Sequence, residues 1–275
     1  YYETLFWGAG HVLQFVNVAG MISVWCVLAY QLTGRDCLTP RATRIAFTLL
    51  LLPTGYAPII AYRVPEAGVY HLQFTRLMQF GIFPAVLLFI ALMGIPIARF
   101  LRRTGTTTLW HSPWGLGWIT SAALTLVGFI LGALIRTSNT LVPAHYHASI
   151  GGVTVAYMAV SFRLLQRFEV PMPLPRFNWL SRWQPALFGL GQIVFAVGFG
   201  MAGMGRKLYG IEQIIQTPSQ FIGLSLMVIG GLLAVVGGVL FVWYVGWSVT
   251  KQIPMFVLAK RRTLWQNLRN IPFKN

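Results

Sequence analysis

The chain has 275 residues, of which 56% are hydrophobic and only 9% are charged. A soluble domain carries about 25% charged residues, so this composition excludes a soluble globular protein and indicates a membrane protein with several spans. The formal net charge is +16, but the basic residues are dispersed between apolar segments, which argues against a nucleic-acid-binding surface.

Seven apolar segments are long enough to cross a bilayer as helices. In chain order the predicted spans are residues 5–32, 45–62, 74–99, 114–135, 144–165, 185–204 and 221–247. The second span contains Pro53, Gly55 and Pro58, so it should be bent or broken there. The fold class predicted from this pattern is an all-α integral membrane protein with seven transmembrane helices.

Residues 1–250 are predicted to form one membrane domain, and residues 251–275 a basic, amphipathic cytoplasmic tail. The tail mixes basic residues with Phe256, Leu264 and Trp265, a pattern typical of a segment that lies on anionic lipid. A docking surface for a partner subunit is the alternative.

The distribution of charge predicts the orientation. With seven spans, sixteen Lys and Arg residues fall on one side of the membrane and four on the other, and Arg76 falls just inside a span. The four are Arg63, Arg136, Arg206 and Lys207. The positive-inside rule therefore places the N-terminus outside and the C-terminus in the cytoplasm, which suits the inner membrane of a prokaryote.

Two histidines, His145 and His147, open the fifth span. Residues i and i+2 of a helix lie about 200° apart, so the two imidazoles should leave the helix on nearly opposite faces. One helix can then hold a metal or a haem on each flank. Polar rings inside a membrane are costly without partners, which favours a functional role. The alternative is a pair of interfacial histidines that contact water and lipid headgroups.

Several other polar residues lie at the same outer level of the membrane as these histidines. They are His11 in span one, His71 and Arg76 at the start of span three, and Arg206 and Lys207 after span six. Imidazoles can supply haem iron ligands, and two adjacent cations can neutralise haem carboxylates. A solvated turn is the alternative for the two cations. His111 falls on the inner side and is interpreted as an ordinary loop histidine.

Three motifs resemble a known family. Residues 5–12 (LFWGAGHV) are similar to its Phe-Trp-x-x-Gly-His stretch, residues 145–147 (HYH) to its His-x-His, and residues 203–207 (GMGRK) to its Gly-Met-x-Arg-Arg turn. Their order and membrane side also match. The chain resembles the second half of subunit I of the haem–copper oxidase superfamily, spans six to twelve of its twelve-helix bundle.

The resemblance implies roles for individual residues. His145 would be the axial ligand of a five-coordinate haem, and His147 would ligate a second, six-coordinate haem whose other ligand lies on a span absent from this chain. His11 would be the first of three histidines around copper or non-haem iron. Arg206 and Lys207 would contact haem propionates. The implied partners are another membrane subunit or a missing N-terminal half, and an outer-face electron-transfer protein such as a cytochrome c.

The departures from the family pattern concern the second metal. No histidine lies between His11 and His71, although the family has an adjacent histidine pair at about Ile59 and Ile60. One imidazole cannot hold copper in the usual three-nitrogen way. Phe15 stands where a tyrosine is often found, and Leu88 stands near the position of a channel lysine. Copper or non-haem iron is therefore doubtful.

Three functional hypotheses follow. The first is a haem-carrying redox subunit that transfers electrons through a haem pair without a standard copper site. The second is an enzyme, a terminal oxidase or nitric oxide reductase with unusual second-metal ligands. The third is a haem-free scaffold or transporter, which the glycine-rich last span favours, although close helix packing explains those glycines equally well.

His71 and Arg76 are further pocket candidates. They would hydrogen-bond a ligand or water over the haem and so replace part of the lost metal site. The alternative is that both side chains extend to the membrane interface.

Overall fold

A computed structural model describes residues 2–63, 67–136, 139–170, 178–203, 215 and 217–269, with no account of the side chains at positions 2, 3, 5, 63, 67, 178 and 252–269. Every regular element in these ranges is a helix. They are α1 (Tyr2–Thr33), α2 (Pro40–Leu51), a 3₁₀ helix (Leu52–Tyr56), α3 (Ala57–Arg63), α4 (Ala67–Thr104), α5 (Thr107–His111), α6 (Pro113–Leu134), α7 (Leu141–Arg167), α8 (Asn178–Gly203) and α9 (Pro218–Arg269).

Seven helical segments in the described ranges are long and apolar enough to cross a membrane, which confirms the predicted number of spans. They are Phe6–Thr33, Pro40–Tyr62, Gly68–Thr104, Pro113–Leu134, Leu141–Arg167, Trp179–Gly203 and Pro218–Lys251. The protein is therefore all-α and membrane-spanning in architecture. The end of the bundle at which α1, α4 and α7 begin is called the outer end, after the orientation that the charges predict.

The second span is interrupted, as predicted. Its helix stops at Leu51, continues as the 3₁₀ helix Leu52–Tyr56, and resumes as α3. Pro53 lies within the tighter segment, where the missing backbone N–H removes a hydrogen bond that an α-helix would need.

The last helix is longer than its predicted span. α9 runs from Pro218 to Arg269 without a break, so the helix continues past residue 247 and through most of the predicted tail. The backbone thus gives no boundary at residue 251.

The helices α6 and α7 form the centre of the bundle. In each of these helices, 56% of the most apolar 18-residue stretch is buried, against 17% of the corresponding stretch in α9. A buried relay of hydrogen bonds ties α1 to both: Trp25 Nε1 donates to Ser121 Oγ (2.8 Å), which donates to the carbonyl of Gly152 (2.7 Å). Because these polar groups satisfy one another away from water, the relay fixes the relative height of the three helices.

Glycines set the close packing of α8 against α9. Gly191 faces Gly230, and Gly198 faces Gly223, with each glycine lying against the backbone of the other helix. The spacing of seven residues on both helices keeps these glycines on one face. Small residues allow membrane helices to approach closely in this way, so packing accounts for the glycine-rich last span.

Gly230→Leu should destabilise the bundle by about 1–3 kcal/mol, the range for overpacking a tight interface. A Cβ atom at position 230 would lie 2.7 Å from the Gly191 carbonyl oxygen, so α8 and α9 would have to separate. Gly246→Leu on the same helix is the matched control, because no other described helix lies within 4 Å of its Cβ position. Thermal unfolding in detergent would compare the two variants, and equal midpoints would contradict the packing argument.

Candidate functional site

His145 lies in the second turn of α7, with its ring directed toward α6. Its Nδ1 lies 2.6 Å from the carbonyl oxygen of Gly128, and Ser149 Oγ lies 3.4 Å from the same nitrogen. A carbonyl oxygen only accepts, so Nδ1 carries the proton and donates it. This tautomer leaves Nε2 as the nitrogen with a free lone pair, which is the usual arrangement of a metal-binding histidine.

A gap in the α6 surface admits the His145 ring. A Cβ atom on Gly132 would lie 2.8 Å from His145 Nδ1 and 3.0 Å from Cε1. Gly128 and Gly132 are one helical turn apart, and together they form what we call the glycine notch. The notch exposes the Gly128 carbonyl to the imidazole, since a side chain at position 132 would cover it.

His147 leaves α7 toward a different helix. Its ring packs edge-on against Phe195 of α8, with centroids 4.7 Å apart, and lies 6.2 Å from the ring of Phe199. The side chain is exposed. The two imidazoles of α7 therefore contact α6 and α8 respectively, as their spacing of two residues predicts.

A stack of three rings joins α1 to α4 at the outer end. The Trp7 ring lies between His11 and His71, with centroid distances of 4.8 and 4.7 Å. Trp7 Nε1 donates to the carbonyl of His71 (3.0 Å), and His11 Nδ1 lies 2.7 Å from the carbonyl of Trp7. The Nε2 atom of His71 is buried and has no hydrogen-bond partner among the described residues.

The predicted site residues are brought together only in part. His11 and His71 flank the Trp7 ring, and His145 lies near the start of α7, so three histidines from three helices share the outer end. Arg76 is exposed on α4, and neither Arg76 nor His71 is among the residues that line the cavity described below. Arg206 and Lys207, the predicted partners of the propionates, lie outside the described residues.

A cavity of about 260 Å³ opens beside His11, between α1, α4 and α7. Its lining consists of Phe6, Trp7, Gly10, His11, Gln14, Met78 and Tyr146. Gln14 and Tyr146 were not predicted from the sequence as site residues. Both carried a signal: Gln14 lies one helical turn from His11, and Tyr146 stands between the two histidines of α7, about 100° from each.

The number of metal-ligating side chains determines which metal or cofactor these residues could hold. No cluster of three His, Cys, Asp or Glu side chains in the described part of the chain could hold a metal ion, so these residues do not supply a three-nitrogen copper site. Haem needs fewer protein ligands. His145 would suit a haem iron ligand because its Nδ1 is anchored to the Gly128 carbonyl and its Nε2 makes no hydrogen bond to the described residues, and His147 would offer a second imidazole on another flank of the same helix.

Comparison with known proteins finds relatives but no family. No protein-family model matches the chain, and no solved structure matches it significantly. It is 28% identical over 183 residues to an uncharacterized protein of Aquifex aeolicus, covering 65% of this chain and 42% of that protein. It is 25% identical over 264 residues to an uncharacterized protein of Rickettsia prowazekii, covering 82% and 49%. The matched region is less than half of either relative.

Proposed function

We propose that this chain is a haem-binding redox subunit of a membrane assembly, similar to the second half of subunit I of the haem–copper oxidases. A single helix, α7, would hold one haem through His145 and another through His147. The observation that carries the proposal is the pair of imidazoles on different flanks of α7, the first with its Nδ1 bound to the Gly128 carbonyl. Haem iron, when bound, supplies one-electron transfer.

The residues around each histidine have separate tasks. The Gly128 carbonyl orients the His145 ring and makes the lone pair of its Nε2 a stronger ligand for iron. Phe195 and Phe199 hold the His147 ring from one side, and its exposed side faces the remainder of a pocket that other spans would supply. Those spans would belong to a partner subunit or to a longer chain, and the greater length of both relatives is compatible with this arrangement.

Electron exchange would take place at the outer side of the membrane. The histidines lie at the outer end of the bundle, so a soluble carrier such as a cytochrome c would approach the haem pair from there. Arg206 and Lys207 remain the proposed partners of the haem propionates. The cell compartment would be the inner membrane of a prokaryote, with lipid around the remaining helix faces.

An enzymatic function is the second candidate, because His11 lines the cavity at the outer end. A terminal oxidase or nitric oxide reductase would need a second metal there, with further ligands from outside the described residues. About one copper or non-haem iron per haem pair would favour this candidate, and electron transfer alone needs none.

Optical spectroscopy of the full-length protein, purified from membranes, tests the proposal. The oxidised and reduced spectra should show about two haems per protein, one six-coordinate and one five-coordinate. Carbon monoxide should alter only the five-coordinate component of the reduced spectrum. A colourless protein after expression with an adequate haem supply would contradict the proposal and favour the scaffold or transporter.

A further inference from the structure

A second cavity lies between α6, α7 and α8, away from the three histidines that share the outer end. Its volume is about 290 Å³, and every residue that lines it is apolar. We call it the outer groove. The residues that define it are Val127, Leu131 and Leu134 of α6, Leu141 of α7, and Val197 and Gly200 of α8.

The outer groove has a buried floor and an open side. Leu131 and Leu141 are 8% and 3% exposed and form the floor, whereas Ile130 and Leu134 are 62% and 48% exposed at the rim. Gly200 gives the groove its depth, because a Cβ atom there would lie 3.4 Å from a methyl carbon of both floor leucines. The rim residues belong to a membrane-spanning segment, so the open side faces lipid chains and not water.

The dimensions of the groove match an acyl chain. Leu134 is the last residue of α6 and Leu141 the first of α7, so the groove begins at the outer boundary of the bundle. From Leu134 to Val127 it extends about 10 Å along α6, which is most of one leaflet of the hydrocarbon core. A dry cavity of about 150 Å³ holds the six carbons of benzene, so the groove has room for roughly twelve carbon atoms.

A cation lies at the mouth of the groove. Arg136 is exposed and follows Leu134 by two residues, with Ile135 between them in an extended conformation. The Cα atom of Arg136 therefore lies about 7 Å from that of Leu134, within the reach of an arginine side chain. Guanidinium groups bind phosphate oxygens in a bidentate manner.

No carboxylate that the structure describes lies near this cation. The acidic side chains in the described ranges are Asp36, after the inner end of α1, and Glu169, after the inner end of α7. Arg136 is also one of only four basic residues that the predicted topology places on the outer side. An isolated cation above an apolar groove is complementary to an anionic headgroup with an attached hydrocarbon chain.

We propose that the outer groove binds an anionic phospholipid of the outer leaflet, with one acyl chain between α6 and α8 and the phosphate at Arg136. The charge of Arg136 selects the headgroup: phosphatidylglycerol has a net negative charge, whereas the choline of phosphatidylcholine neutralises its own phosphate. The site goes beyond the proposed function and does not depend on haem.

Photolabelling of the full-length protein in nanodiscs of zwitterionic lipid tests the site. The probe is phosphatidylglycerol with a diazirine midway along one acyl chain, and phosphatidylcholine with the same chain is its matched control. Peptide mapping by mass spectrometry should find the label in residues 127–134 and 197–201. The yield should be about fivefold higher with phosphatidylglycerol, the effect of one cation beside an anionic headgroup.

Two variants separate the headgroup from the chain. Arg136→Gln should lower the yield with phosphatidylglycerol to that with phosphatidylcholine, whereas Arg76→Gln, which removes an exposed cation of α4, should keep the fivefold preference. Gly200→Leu fills the groove and should lower the yield with both lipids. Gly246→Leu adds the same side chain where no other described helix lies within 4 Å and should leave both yields unchanged.

Three results would overturn the proposal: equal labelling of the groove by the two lipids, a preference that persists in Arg136→Gln, and groove labelling no stronger than that of the exposed face of α9. The last result would leave the groove to bulk lipid. The haem spectrum of the same samples separates this site from the proposed function, because a colourless protein with an Arg136-dependent preference would remove the haem hypothesis and retain the lipid site.

Discussion

Replacing His145 with glycine should reduce the haem content from about two to about one per protein, because an axial ligand of one iron is removed. His147→Gly should remove the other haem and leave the first. The two losses should be separable because the rings contact different helices, α6 and α8. Haem per protein and reduced-minus-oxidised spectra of each variant would measure the effect.

Exogenous imidazole provides the control for a change of fold. It should restore the missing spectral component in His145→Gly, since the space left by the ring accepts a free imidazole and the notch still offers the Gly128 carbonyl. His111→Gly, on the inner side, should leave both haems in place. If His145→Gly and His147→Gly both retained two haems, neither residue would be an axial ligand and the proposed function would fail.

Hydropathy was sufficient to predict the number and approximate position of the membrane spans. The spans are visible because each backbone polar group in lipid must bond within its own helix, which requires an uninterrupted apolar stretch. The structural break at Leu52–Tyr56 followed from Pro53 in the same way. The helix ends were less predictable: α4 begins at Ala67, before the predicted residue 74, because amphipathic turns extend beyond the apolar core.

Local periodicity also predicted that the two histidines of α7 face apart. It could not identify their neighbours, because contacts between helices depend on how far each helix slides and rotates against the next. Two contacts between helices could therefore not be predicted: the His145 ring in the notch at Gly128 and Gly132, and Tyr146 in the same cavity lining as His11. A glycine in an apolar helix is too common a feature to indicate, by itself, which ring it admits.

The two pocket candidates on α4 have different surroundings. His71 is half-buried against Trp7, and its Nε2 has no hydrogen-bond partner in the part of the chain that the structure describes, which suits a residue that binds a ligand or a water molecule. Arg76 is exposed, which suits a side chain that extends to the interface. The sequence placed both at one level of the membrane, but the face of the helix decides which can contribute to a pocket.

Gly132→Ala should weaken retention of the His145 haem by about tenfold to a hundredfold, the usual effect of losing the partner that orients a metal ligand. The new Cβ atom would lie 2.8 Å from His145 Nδ1, which is too close, so the ring must move out of the glycine notch. It then loses the 2.6 Å hydrogen bond to the Gly128 carbonyl. The rate of haem transfer to an excess of apomyoglobin would measure retention.

The vibrational spectrum of the Gly132→Ala variant distinguishes the loss of one hydrogen bond from a general disruption of the fold. Without the Gly128 partner the imidazole is a less basic, and so weaker, ligand for iron. The iron–imidazole stretching frequency of the five-coordinate haem should therefore fall. The His147 haem, which lies toward α8, should be unaffected. Gly246→Ala on α9 adds the same methyl group at a position with no other described helix within 4 Å and should change neither quantity. If Gly132→Ala left both the frequency and the transfer rate unchanged, the notch would be a packing feature only, and His145 would need another explanation for its place against α6.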